Sequence, residues 1–191
     1  LSASAQFLLL YHLQKMSLDG LSVSEMASQI CGYSYVSIAK AVENIEALGL
    51  CECRKDSDRS KRIRFIAGGR ELWEKAKPYM TTPVKEVKYC DAVPSIGFQY
   101  SGVSALASYT MISPDEVPTI AVYSGSFKET DFNGLNDFDG NVKIEIWRYP
   151  EIDTKSDIVD RLSLFLSLEG DSDPRVDKEN KIMLEEVWQK M

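Results

Sequence analysis

Six of the eleven positions from Arg54 to Arg64 are Lys or Arg (Arg54, Lys55, Arg59, Lys61, Arg62 and Arg64), interrupted by Asp56 and Asp58. Cationic side chains packed this closely bind anions such as phosphate, the guanidinium groups through paired N–H donors. Local clustering governs that attraction, because charges more than about 10 Å apart are largely screened at ~0.1 M salt. The whole chain, with 22 Lys or Arg against 29 Asp or Glu and a net charge of −7, argues at first against a polyanionic partner. Its halves differ. Residues 1–80 hold eleven basic against nine acidic side chains, whereas residues 81–191 hold eleven against twenty. A cationic patch in the first half is therefore compatible with an acidic second half, which would also limit indiscriminate anion binding.

Other residue types offer less. The single histidine, His12, sits in a helical pattern and is expected to be structural or superficial. Cys31, Cys51, Cys53 and Cys90 show neither a C-x-x-C spacing nor a disulfide framework, so reduced thiols and no metal or cofactor are expected. Asp171, Asp173 and Asp177 surround a helix entry, and Asp131, Asp137 and Asp139 surround a turn, both places where Asp serves backbone hydrogen bonding. Glycine-rich phosphate loops, G-x-S-x-G and H-E-x-x-H are absent, and nothing argues for an enzyme. No apolar run reaches the roughly 18 residues of a membrane span. His12, Gln14 and Lys15 follow the apolar Phe7–Leu10 at once, so a secretory signal is not expected and a cytoplasmic location is.

The elements that must carry the basic cluster can be read from periodicity. Residues 3–16 form a helix behind Ser2 or Ser4, broken by Asp19-Gly20. Ser22 or Ser24 caps a second helix over 25–30, and Gly32 supplies a tight turn. Ser34 opens a third helix to about Leu48, with Ile38, Ala41, Val42, Ile45 and Leu48 on one apolar face and Ser37, Lys40, Glu43 and Asn44 opposite. Gly49 ends it. Strands are expected over 50–54 and 62–67 around a basic tip, then a helix over 68–80. Helix, turn, helix and basic hairpin in this order describe a winged helix-turn-helix, which lays its third helix in a DNA major groove with the hairpin beside it. Lys55, Arg59, Lys61 and Arg62 are then candidate phosphate or minor-groove contacts.

The segment resembles the MarR-type winged-helix regulators in Leu48-Gly49-Leu50, in Asp56-x-Asp58-Arg59-x-x-Arg62 at the tip, and in the glycine-led helix after Phe65. The resemblance covers about 75 residues and implies a homodimer on pseudo-palindromic double-stranded DNA, with Ser34, Tyr35, Ser37, Lys40 and Asn44 as major-groove contacts and Arg59 as the wing arginine. It stops at Pro78 and Pro83, where the long dimerising helix of that family is missing.

Residues 81–191 read as a small mixed α+β domain, separate from the DNA-binding domain over 1–80, so the fold class is α+β. Loop or short strand is expected over 81–100, a helix over 101–112 and a strand over 119–123. Asp139-Gly140-Asn141 signals a hairpin into a half-buried strand over 142–147, whose charged residues alternate outward. Helices are expected over 157–168 and after Asp173-Pro174. Ser101-Gly102-Val103-Ser104-Ala105-Leu106-Ala107-Ser108-Tyr109 and Val159 to Leu168 resemble the C-terminal domain of AbiEi-type antitoxins, although the usual Asp-Pro is Asp160-Arg161 here. That resemblance implies an autorepressor alongside a nucleotidyltransferase-like toxin partner. Two functions are thus expected: a sequence-specific DNA-binding repressor, or an antitoxin whose second domain neutralises such a toxin.

Overall fold

The structure, a computed structural model, describes residues 1–55, 61–95 and 97–190, and is mixed α+β with two small sheets. Its chain divides into two compact units, Leu1–Thr81 and Thr82–Met191. No described helix is long and apolar enough to cross a membrane.

The first unit begins with α1 (Ala3–Gln14), capped by the Ser2 hydroxyl, which accepts from the Ala5 N–H at 3.3 Å. Its burial runs round the whole helix rather than along one stripe, including Gln6 and every residue from Phe7 to Leu10. Gln6 is the polar exception: its amide donates to the Thr81 carbonyl at 2.8 Å and accepts from the Thr81 N–H at 3.0 Å, closing the unit on its last residue. Helix α2 (Val23–Gln29) follows Ser22, whose hydroxyl accepts from Glu25 N–H while the Glu25 carboxylate accepts from Ser22 N–H at 2.7 Å, a reciprocal capping box. Helix α3 (Tyr35–Ala47) buries Ile38, Ala41, Val42 and Ile45. It ends where the sequence requires: Gly49 takes φ +69°, and the Gly49 and Leu50 N–H groups return to the Glu46 and Ile45 carbonyls.

Strands β1 (Cys51–Lys55) and β2 (Lys61–Phe65) pair antiparallel, Cys51 opposite Phe65. Ser22 makes an isolated antiparallel bridge to Arg62, supported by Ile63 N–H to the Leu21 carbonyl at 3.0 Å. Helix α4 (Gly69–Ala76) packs Leu72, Trp73 and Ala76 inward and passes into a single 3-10 turn at Pro78, shorter than the helix expected to Met80.

His12, half-buried, packs on the core of this unit. It stacks on Phe65 with centroids 4.0 Å apart, and its Nδ1 accepts from Leu18 N–H at 2.9 Å. Burial lowers its pKa below the ordinary 6.5, opposed by nearby Asp19. Protons bind the unfolded imidazole first, so stability falls as pH drops through about 6.5 towards the lower folded value and is undiminished above it. Protection factors of α1 amides, which discount the intrinsic slowing of exchange at lower pH, are expected to fall from pH 7 to pH 5 in the wild type. His12→Asn, which keeps an acceptor without titrating, is expected to lose most of that response.

In the second unit the sheet runs β3–β6–β5–β4: β3 (Val84–Cys90), β4 (Gln99–Tyr100), β5 (Thr119–Tyr123) and β6 (Val142–Trp147). Strands β5 and β6 are parallel, with β3 and β4 antiparallel at the edges. Asp139-Gly140-Asn141 therefore does not close a hairpin. Gly140 instead lets the backbone run against β3, where a Cβ would meet the Cys90 carbonyl oxygen at 2.7 Å. One sheet face, Ile120, Val122, Val142, Ile144 and Ile146, packs with Cys90 and Phe132. Lys88 pins the covering loop through Asp137 at 2.8 Å.

Helix α5 (Gly102–Tyr109) packs against β5, and α6 (Arg161–Leu168) and α7 (Pro174–Lys190) pack on it and on each other. Asp160 caps α6 through Ser163 N–H at 2.8 Å, and Asp173 caps α7 through Arg175 N–H at 2.8 Å. Buried Asn180 of α7 donates to the Phe165 carbonyl in the last turn of α6, which satisfies one of the acceptors that a helix end leaves open.

Strand β6 departs from the expected alternation of buried apolar and exposed charged residues. Glu145 is only 4% exposed. Its Oε2 accepts from the Ser101 hydroxyl at 2.6 Å and from Trp147 Nε1–H at 3.1 Å, and burial raises its pKa. Ser101 precedes α5 without capping it by its side chain, because its hydroxyl is committed to this carboxylate. Gly102 follows at φ +54° with Thr119 against the place of its missing Cβ.

Candidate nucleic-acid interface

The outward side of α3 is fixed by helical geometry. With 3.6 residues per turn, the buried row Ile38, Ala41, Val42 and Ile45 puts Val36, Lys40, Glu43 and Ala47 opposite, spaced i, i+4, i+7 and i+11. All four are exposed. Ser34, at the N-cap, uses its hydroxyl to accept from Ser37 N–H at 3.2 Å and stands 3.0 Å from the Ser37 hydroxyl. These two serines mainly organise the first turn, although Ser34 stays exposed and Ser37 half-buried. Tyr35 is 54% exposed on the flank towards the hairpin.

Two of the expected contacts have other partners. Asn44 is half-buried, on the flank towards α1, and its Oδ1 accepts from Ser2 N–H at 2.8 Å. It ties α3 to the start of α1 instead of pointing outward. Arg62 is also half-buried: its Nη1 donates to the Gly20 carbonyl at 2.9 Å and pairs with Glu25 Oε2 at 3.0 Å. This guanidinium fastens the return strand to the entrance of α2. The same Glu25 completes the capping box, and the Ser22 hydrogen bonds, followed by Arg62, hold its carboxyl below the usual range. An arginine so engaged is a joint of the hairpin, not a cation held ready for a ligand.

Lys61 is exposed at the start of β2, opposite Lys55 in the ladder, so the hairpin keeps cationic positions on both strands. The Lys55 side chain and Arg59, with the rest of the tip at residues 56–60, lie outside the described residues. Glu46 reaches from α3 to accept the Cys53 N–H at 2.9 Å and so covers part of the free edge of β1. Between α2, α3 and the hairpin runs a groove of about 350 Å³ whose lining includes Met26, Tyr35, Ala39, Cys53 and Lys61. Its walls also carry Glu43 and Glu46, which makes it a poor seat for an anion.

The four cysteines are free thiols. Burial, with Cys53 next in weight, pushes Cys51 up to about 12, and burial also raises Cys53, so neither is an activated thiolate. Among the described residues, no group of three or more His, Cys, Asp or Glu side chains is placed to hold a metal ion.

Sequence reasoning left out Val36, which is 59% exposed in line with Lys40. It is apolar and so was not among the polar side chains expected as contacts, but the phase of the buried row places it outside. Taken together, α3 offers solvent one rigid row of an apolar, a cationic and an anionic side chain, in a unit that also carries a basic hairpin. Such a row can combine hydrogen bonding and apolar contact over a length of about 16 Å at 1.5 Å per residue. Comparison with protein-family models, with curated proteins and with solved structures returns no match to this chain.

Proposed function

We propose that the first unit is a winged helix-turn-helix and that the protein is a sequence-specific, double-stranded DNA-binding regulator, acting as a repressor and not as an enzyme. The observation that carries this reading is the outward row Val36, Lys40, Glu43 and Ala47 on a helix fixed at both ends, in the same unit as a hairpin with Lys55 opposite Lys61. An α-helix fits the B-DNA major groove, and side chains on its outer row meet base edges. The hairpin supplies phosphate contacts that position the helix without reading sequence. The β-bridge at Ser22 and the Arg62–Glu25 joint hold the hairpin to the helical part. The MarR-like features would make the working form a homodimer, with half-sites about 34 Å apart. Free thiols suit a reducing cytoplasm.

The test is binding of the full chain to labelled duplexes selected from a randomised pool, measured by fluorescence anisotropy over a range of salt. Affinity is expected to fall on a log–log plot with a slope of roughly one per phosphate contact, several in all. A selected pool with no enrichment over the starting pool, or salt-independent binding, would refute the reading.

A second reading concerns the acidic unit: docking of a basic, nucleotidyltransferase-like toxin, as the AbiEi-type resemblance implies. Phe138 favours it, being 86% exposed between Asp137 and Asp139 on a turn built by Asn136, which accepts from the Phe138 and Asp139 N–H groups. Co-purification of the full chain with the product of an adjacent reading frame, lost in Phe138→Ser, would support it. Unchanged co-purification would leave that turn without a part in docking.

A further inference from the structure

Resting on the duplex-binding reading of this same helix, we propose that Val36 recognises the C5-methyl group of a thymine. On this proposal Lys40 and Glu43 read a guanine and a cytosine further along the groove. Val36 is an apolar side chain 59% exposed, and the core of its own unit has no use for it: the buried row of α3 is Ile38, Ala41, Val42 and Ile45. Valine is also a poorer helix former than alanine, so local propensity does not account for it. Its branched Cβ fixes χ1 in a helix and holds two methyl groups in one place, a shape suited to reading another methyl group. The thymine methyl is the apolar feature of the major groove.

The spacing of the row sets the rest of the site. Lys40 stands four residues on, about 6 Å along the axis, or about two base-pair steps at ~3.4 Å each. A lysine at that depth is matched to guanine O6 and N7. Glu43 lies about 4.5 Å beyond, roughly one further step. A carboxylate in the groove is repelled by phosphates and gains only where it meets a donor, which the exocyclic amine of cytosine provides. Ala47 is small enough to let the last turn approach without adding a reading group. The N-terminal turn, stiffened by the Ser34 cap, is the part that enters deepest, and Val36 belongs to that turn.

Deoxyuridine substitution tests this directly, since it removes the C5-methyl and leaves every Watson–Crick group in place. With a duplex selected by the full chain, each thymine is replaced in turn and affinity measured for wild type and Val36→Ala. One thymine is expected whose replacement weakens wild-type binding about three- to tenfold. Val36→Ala is expected to bind the unmodified duplex correspondingly less well and to ignore that replacement, with unchanged helical content by circular dichroism. Lys40→Ala and Glu43→Ala should instead relax preference about two and three steps away. A duplex that binds but has no methyl-sensitive thymine, or the same sensitivity in Val36→Ala, overturns this assignment and leaves duplex binding standing. Failure to select any duplex overturns both.

Discussion

Reversing charge at Lys40 and Lys61 together is expected to abolish detectable duplex binding, a loss of at least about 1000-fold, while leaving the fold intact. The two lysines stand on different elements, the outward row of α3 and the start of β2, and both are exposed. If α3 lies in the major groove, Lys40→Glu removes a base contact of about 1–3 kcal/mol and adds a carboxylate facing phosphates. Lys61→Glu removes a backbone contact and its released counterion. The two should differ in kind. Lys61→Glu is expected to weaken all sequences alike and to flatten the salt dependence by about one unit of slope, whereas Lys40→Glu also changes which sequences are preferred. Arg62→Ala makes a useful contrast: it breaks the Glu25 and Gly20 contacts, so its first effect should be faster exchange of β2 amides and not a specific loss of base preference.

The second large effect is expected at Glu145. Glu145→Leu keeps an apolar neighbour for the sheet but leaves the Ser101 hydroxyl and the Trp147 N–H buried without their acceptor. Each orphaned donor costs about 1–3 kcal/mol, so roughly 2–6 kcal/mol of stability should go, read as faster exchange of β6 amides in the full chain. Glu145→Gln retains an oxygen for both donors and removes the buried charge, and should match or exceed the wild type near neutral pH. The pH response has a definite sign. Because burial raises the folded pKa, the native state holds its proton after the unfolded chain has released one near 4.5, so stability declines as pH rises from there through the folded value. Glu145→Gln should remove that decline. An equal decline in the variant would mean that another group causes it.

How far the sequence reveals these features depends on whether the cause is local. The phase of α3, its Ser34 cap and its stop at Gly49 were legible because periodicity, capping and positive φ act within a few residues. Asn44 and Arg62 were not. Both look like free polar side chains on exposed elements until folding brings Ser2, Gly20 and Glu25 to them from far along the chain. The hairpin expected at Asp139-Gly140-Asn141 failed for a related reason. The glycine answers a need for close approach to Cys90, which a turn-forming tripeptide does not distinguish from a need for positive φ. Glu145 follows the rule that alternation marks a half-buried strand only when one face stays wet, and here its face is covered, with Ser101 bonded to the carboxylate and Trp147 buried beside it. Val36 was left out although the phase of α3 was legible, because only polar side chains away from the apolar row were expected as contacts.

Lysine footprinting tests the proposed interface on the unaltered protein. The chain is acetylated in trace amounts with and without a selected duplex, and each lysine is quantified by mass spectrometry. Lys40 and Lys61 are expected to be shielded at least several-fold by DNA, and Lys178 and Lys181 of α7 to react as before. Full reactivity at Lys40 in the DNA-bound protein, or shielding confined to α7, would contradict it.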